Sequence, residues 1–288
     1  MTTLQDRQVG TAAGPLHLST RPGHTDPVLA LHGVSSTSRL WLWLHDADPE
    51  LTLLAPDLAG RGHSPARPAG PSSVAAHAEH LIALLDALGL ASVDVLGMSM
   101  GGFLATHLAA EYPGRVRSLT LVDGGLPVAP PMPRTELEAH LRTVYDTSAI
   151  WPDQHAYAAH YRRTAAPLVD PADTRLARML DHELEPVPDG WRVRRDPDSV
   201  VEDALSVLAC DTPAEVFARL RVPARLVYAQ WSVGADSAPM YPVEHVESMR
   251  AGLLGAELVE GVDHAAIIMT DRGAHATAAA LRAHLDRA

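Results

Sequence analysis

Gly97-Met98-Ser99-Met100-Gly101 sets one serine between two glycines, with an apolar strand-like run at 93–96 before it and a helix-like run at 103–112 after it. In a strand-to-helix elbow the central serine takes a strained backbone conformation, and the flanking glycines let strand and helix pass without a clash. G-x-S-x-G alone arises by chance in about one chain in ten of this length, so the flanking elements carry the reading. A serine hydroxyl is a poor nucleophile at neutral pH; it needs an imidazole to accept its proton and a carboxylate to orient the imidazole. Of sixteen histidines, His264 in Glu260-Gly261-Val262-Asp263-His264-Ala265 is best placed. It lies in a loop after the last short strand, and so at the strand ends where Ser99 also lies.

Two carboxylates compete for the third role. Asp123 ends the apolar run 119–122, next to the elbow strand, and Asp236 lies in the loop 230–236 after a strand ending near Ala229. Asp236 is about seven residues past its strand and needs the loop to fold back, whereas a strand end preorganises Asp123, which is favoured. Acyl transfer develops an oxyanion that needs two fixed N–H donors. The Met100 amide, directly after the nucleophile at a helix N-terminus, is one. The Val34 amide, in the loop Leu31-His32-Gly33-Val34-Ser35-Ser36, is the natural second.

These groups need a frame. Strand patterns at 28–31, 51–55, 93–96 and 116–122 alternate with helical patterns at 73–88 and after Ser99, which predicts a parallel sheet with helices on both faces. In 73–88 the residues Val74, His77, Leu81, Leu84, Leu85 and Leu88 repeat at helical spacing, closed by Gly89. Prolines and glycines crowd 124–133, and from 134 to 220 the pattern is helical throughout, near 134–146, 152–165, 172–183, 197–209 and 213–220, with no convincing strand. Strand character returns at 224–229 and 257–259, and 270–286 is a final helix. The expected division is an α/β core at 1–126, an inserted helical cap at 127–221 and the rest of the core at 222–288.

Composition removes whole classes of function. The 288 residues hold 23 basic and 35 acidic side chains, a net charge of −12, which argues against nucleic acid or an anionic membrane as partner and for a small, neutral or modestly polar molecule. Every basic residue is an arginine, so no lysine is present for a Schiff base, a pyridoxal-phosphate linkage or a P-loop phosphate cradle. The single cysteine, Cys210, allows no intrachain disulfide and reads as a small buried hydrophobe. No apolar run approaches membrane-helix length and the first seven residues lack signal-peptide order, so a cytoplasmic protein is expected. Oligomeric state is not legible.

His32-Gly33, the stretch Asp57-Leu58-Ala59-Gly60-Arg61-Gly62-His63-Ser64, the elbow with Gly102, and the stretch 261–264 together resemble the α/β-hydrolase family, in its capped, small-molecule branch. The resemblance implies a doubly wound, mostly parallel sheet with an inserted cap, Ser99 as nucleophile, His264 as base, and Val34 and Met100 as oxyanion donors. The stretch 57–64 is a structural turn in the family. The chain departs from the family after Ala229, where the usual Gly-x-x-Asp is missing and about Ser232 stands in the acid's place. Some members place the acid one strand earlier, which corresponds to Asp123. Haloalkane dehalogenases and epoxide hydrolases carry an aspartate at the elbow, so Ser99 argues against both. Trp151, Tyr157 and Tyr161, with Tyr145, Met132 and Met179, are candidates to line an apolar substrate pocket, and Trp41 and Trp43 either line it or pack the core. The expectation is a serine esterase or lactonase needing no cofactor or metal. A C–C bond hydrolase or perhydrolase on the same triad, or a non-catalytic ligand-binding homologue, are the alternatives.

Overall fold

The structure, a computed structural model, describes residues 4–67, 70–128, 133–210 and 212–286. Strands β1 (Gln5–Thr11), β2 (Gly14–Arg21), β3 (Val28–Leu31), β4 (Leu53–Pro56), β5 (Val93–Met98), β6 (Val116–Val122), β9 (Ala224–Ala229) and β10 (Gly255–Val259) form one sheet in the order β1-β2-β4-β3-β5-β6-β9-β10. All neighbouring pairs from β4 to β10 are parallel, while β1 and β2 pair antiparallel at one edge. Every residue of β3, β4 and β5 is buried, as continuous apolar runs covered on both faces must be.

Helices α2 (Val74–Ala87) and α3 (Met100–Glu111) cover one face, and α1 (Leu42–Ala47), α10 (Ala266–Met269) and α11 (Asp271–Leu285) the other, each over its own apolar cluster. Helix α2 starts where the Ser73 hydroxyl accepts the Ala76 N–H and ends before Gly89 at φ 71°, a left-handed position suited to glycine. Chain order reverses about β3: β4 lies on one side and β5 on the other. Ligand sites of doubly wound sheets form at such a switch, beyond the carboxyl ends of the strands.

Between β6 and β9 the chain leaves the sheet for α4 (Arg134–Val144), α5 (Gln154–Thr164), α6 (Thr174–Glu183), α7 (Pro197–Leu208) and α8 (Thr212–Ala218). The segment is not helical throughout: β7 (Leu184–Val187) and β8 (Gly190–Val193) form an antiparallel hairpin. Its turn is Pro188-Asp189, followed by Gly190 at φ 143°. With only four residues per strand and Pro186 inside one of them, the hairpin leaves no alternating pattern to detect; the Pro-Asp-Gly turn was its one signal. Cys210 is partly buried and lies against the Ser206 carbonyl. No described helix is long and apolar enough to cross a membrane.

Backbones meet most closely around the elbow. A Cβ on Gly101 would lie 2.0 Å from the Leu31 carbonyl oxygen, and one on Gly97 would lie 2.1 Å from that of Gly101. Gly101→Ala is therefore expected to lower stability by about 1–3 kcal/mol or more in urea unfolding, since backbone must move. Gly114→Ala, with nothing within 4 Å of the added carbon, should stay within about 0.5 kcal/mol.

Candidate active site

Ser99 joins β5 to α3 at φ 54°, ψ −122°, a region that non-glycine residues enter only when their surroundings enforce it. The enforcing contacts are visible. A Cβ on Gly124 would lie 2.2 Å from the Ser99 carbonyl oxygen, the Ser99 N–H donates to Val122 O at 2.9 Å, and Gly33 packs so that its Cβ would meet Ser99 Cβ at 3.4 Å. The loops after β3 and β6 thus grip the elbow from either side.

His264 Nε2 lies 3.0 Å from Ser99 Oγ, and His264 Nδ1 lies 2.6 Å from Asp123 Oδ2. With Nδ1–H donating to the carboxylate, Nε2 is left to accept the serine proton. Asp123 is fully buried at φ 40°, its N–H donating to Val227 O and its Oδ1 accepting the Ala229 N–H at 3.1 Å. Asp236 is exposed in its loop and takes no part in this chain of contacts. That loop braces the histidine instead. His264 N–H donates to Ser232 O, Trp231 N–H to Val262 O, and Gly234 N–H to the carboxylate of Asp263.

Met100 is the first residue of α3, where N–H groups have no intrahelical acceptor, and neither its amide nor that of Val34 has a partner among the described hydrogen bonds. The Val34 loop is held from behind. His32 Nδ1–H donates to Gly33 O at 2.7 Å, and His32 Nε2 accepts the Leu58 N–H at 2.9 Å. Burial lowers the pKa of this imidazole to about 4, so it stays neutral and can do both. Arg61, from the stretch 57–64, donates Nε–H to Val34 O at 3.0 Å and pairs with Asp203 of α7 at 2.6 Å. That turn thus sets the position of the Val34 loop, a task its sequence did not reveal.

A cavity of about 340 Å³ opens over Ser99 and His264. Its walls are mainly apolar, among them Val34, Leu141, Tyr145, Met240 and Met269, and no Arg, Asp or Glu is among the described residues that line it. Of Trp151, Tyr157, Tyr161 and Tyr145, all expected there, Tyr145 and Tyr161 line it and two do not. Trp151 pairs its backbone with Trp191 and its ring lies 5.5 Å from that of Tyr157, while Tyr157 is buried with its hydroxyl donating to Glu183 Oε2 at 3.2 Å. The hairpin β7-β8 draws Trp151 into packing, and Glu183 at the end of α6 holds Tyr157. Met179, Trp41 and Trp43 are buried in the core, Trp43 donating to Asp173; Met132 lies outside the described residues.

A nucleophile elbow with its histidine and carboxylate at the carboxyl edge of a doubly wound sheet is the hallmark of hydrolases of the α/β type. A family model described as alpha/beta hydrolase fold matches residues 26–167, and this chain belongs to the α/β-hydrolase family. Lipase LipV of Mycobacterium tuberculosis is 36% identical over 185 residues, covering 62% of this chain and 66% of the lipase. The 2-hydroxymuconate semialdehyde hydrolase of Pseudomonas putida is 46% identical over 70 residues, 24% of this chain and 25% of that enzyme. The chain spans less than two thirds of either relative. Among solved structures, E-2-(acetamidomethylene)succinate hydrolase matches with a TM-score of 0.81 at 19% identity, covering 99% of this chain and 100% of that one, a likeness of fold.

Burial pushes Glu183 up from 4.5 to about 7. The folded chain therefore holds that proton where the unfolded chain has lost it, and stability falls as pH rises from about 4.5 to 7, then levels. Glu183→Gln removes this dependence. The difference in urea midpoint between variant and parent should move in favour of the variant across that window and stay constant above it.

Proposed function

We propose that this α/β-hydrolase is a serine hydrolase that forms an acyl-enzyme on Ser99 with a small, neutral ester or lactone. The observation that carries the reading is the continuous contact from Asp123 through His264 to Ser99, at 2.6 and 3.0 Å. His264 Nε2 takes the hydroxyl proton as Ser99 Oγ bonds to the carbonyl carbon, and Asp123 stabilises the imidazolium that results. The carbonyl oxygen gains charge between the amides of Val34 and Met100. As the carbonyl re-forms, the bond to the alcohol oxygen breaks and His264 returns the proton to it; water, activated by the same histidine, then releases the acid. No cofactor enters these steps.

The inserted segment acts as a cap, since Leu141, Tyr145, Tyr161 and Val207 of α4, α5, α7 and their connections close the cavity over the nucleophile. The relatives named for C–C hydrolysis favour a second reading, cleavage of a carbon–carbon bond beside a ketone. Their printed substrates are carboxylates, and a cavity wall without arginine gives such a group no partner. This supports the neutral ester over the ketoacid.

A fluorophosphonate probe should label the parent on Ser99 and leave Ser99→Ala unlabelled, and Ser99→Ala should lose p-nitrophenyl ester turnover while its unfolding curve is unchanged. Asp123→Asn should lower kcat by about 10⁴-fold, the size expected when an orienting acid is lost, and Asp236→Asn should leave it near the parent value. Collapse with Asp236→Asn alone, or faster turnover of a ketoacid than of any neutral ester, would overturn the assignment.

A further inference from the structure

Behind the Val34 loop, Asp57 stands just past the end of β4 with its carboxylate fully buried, and imidazoles from two distant parts of the chain converge on one oxygen of it. His17 Nδ1 of β2 lies 3.1 Å from Asp57 Oδ2, and His182 Nε2 of α6 lies 2.8 Å from it. One atom from each of the three lies within 4.8 Å of the others. Both imidazoles are more than nine-tenths buried, at 9% and 7% side-chain exposure. Despite its short approach, His17 Nδ1 makes no hydrogen bond; it is a buried polar atom aimed into the cluster and left unpartnered, which ordinary packing avoids.

The surroundings are those of a ligand set. Asp57 Oδ1 accepts the Ser38 N–H at 2.7 Å and Oδ2 also accepts the His63 N–H at 2.9 Å, which fixes the carboxylate plane. The far nitrogen of His17 lies 3.7 Å from Asp6 Oδ1, a carboxylate held by Arg39. The His63 ring flanks the open side, its centroid 4.5 Å from that of His182 and 5.2 Å from that of His17.

Two imidazole nitrogens and a carboxylate oxygen suit a borderline transition-metal ion. We propose that His17, Asp57 and His182 bind one divalent ion of the zinc class, with His63 or a water in the fourth position. Ligand atoms around a tetrahedral zinc lie about 3.3 Å apart, so the two imidazole-to-carboxylate distances have to spread by a few tenths of an ångström, and the three ligand atoms already lie within 4.8 Å of one another. The proton His182 places on Asp57 shifts to its other nitrogen or leaves to solvent on binding. The ion would join β2 and the turn after β4 to α6, clasping the inserted segment to the sheet. It takes no part in chemistry at Ser99, and the proposal stands whether or not the ester reading does.

The test uses untagged full-length protein stripped with EDTA, dialysed, and titrated with zinc chloride by calorimetry and with cobalt chloride by visible absorption. One zinc per chain, a raised melting temperature and the d–d bands of a low-coordinate cobalt site are expected. His17→Gln and His182→Gln should each weaken zinc by at least about 100-fold. His182→Cys keeps a ligand, so it should still bind one zinc and should add a thiolate-to-cobalt charge-transfer band, a signature that a folding defect cannot produce. Absence of saturable binding near one equivalent, binding that survives both glutamine variants, or binding lost through His264→Ala instead would each overturn the proposal.

Discussion

The geometry of the molecule depends on how closely four backbone segments approach at one turn. Ser99 can hold φ 54° only because β3, β5, β6 and the start of α3 come into backbone contact around it, and Gly97, Gly101 and Gly124 are the positions where a side chain would prevent that approach. Strain of this kind costs of order 1–3 kcal/mol, and the dense packing of the parallel strands opposes its release. In return the hydroxyl stands clear of the sheet, 3.0 Å from a histidine of one loop, with the first amide of α3 directly after it and the Gly33-Val34 loop packed beside it. Loss of any one close approach would move all of these groups together.

Buried charge holds the second layer. Asp203 of α7 receives Arg61 at 2.6 Å, His77 at 2.8 Å and the Ser72 hydroxyl at 2.7 Å, all buried. Burial alone would raise its pKa, yet Arg61 and His77 lower it to about 2. Such clusters add little net stability against an apolar alternative, but they tolerate only one arrangement, because removing one partner leaves a charge stranded. Arg61 also donates Nε–H to the Val34 carbonyl and Nη1–H to that of Ala59, so the arrangement fixed is that of the inserted segment relative to the Val34 loop.

Much of the frame was legible in the sequence because buried parallel strands and amphipathic helices impose strong periods. The runs at 28–31, 93–96 and 224–229 declared themselves, as did α2 through its leucines and Gly89. What could not be read was decided by distant partners. β1, with most of its residues exposed at the sheet edge, has no apolar alternation, and it exists because β2 pairs with it. Trp151 carries the right chemistry for a pocket wall, yet the hairpin that captures its backbone is specified by one short turn. The carboxylate beside His264 was legible as a choice of two that favoured Asp123, since a strand end and a long loop can reach the same point; the 2.6 Å approach of Asp123 to His264 distinguishes them, and Asp123 is held there by its contact with the β9 backbone.

That contact has a wider consequence. Asp123 N–H bonds to Val227 O and Ala229 N–H bonds to Asp123 Oδ1, so the two points where the inserted segment leaves and rejoins the sheet lie on adjacent, paired strands. The strands are parallel, so the segment leaves at the carboxyl end of β6, after Val122, and must return to the amino end of β9, where Ala224 pairs with Leu119. A segment held between two paired strands is modular: another of different length or architecture can connect the same two strand ends without changing their register. Diversification of the roof over a constant sheet needs no more than that.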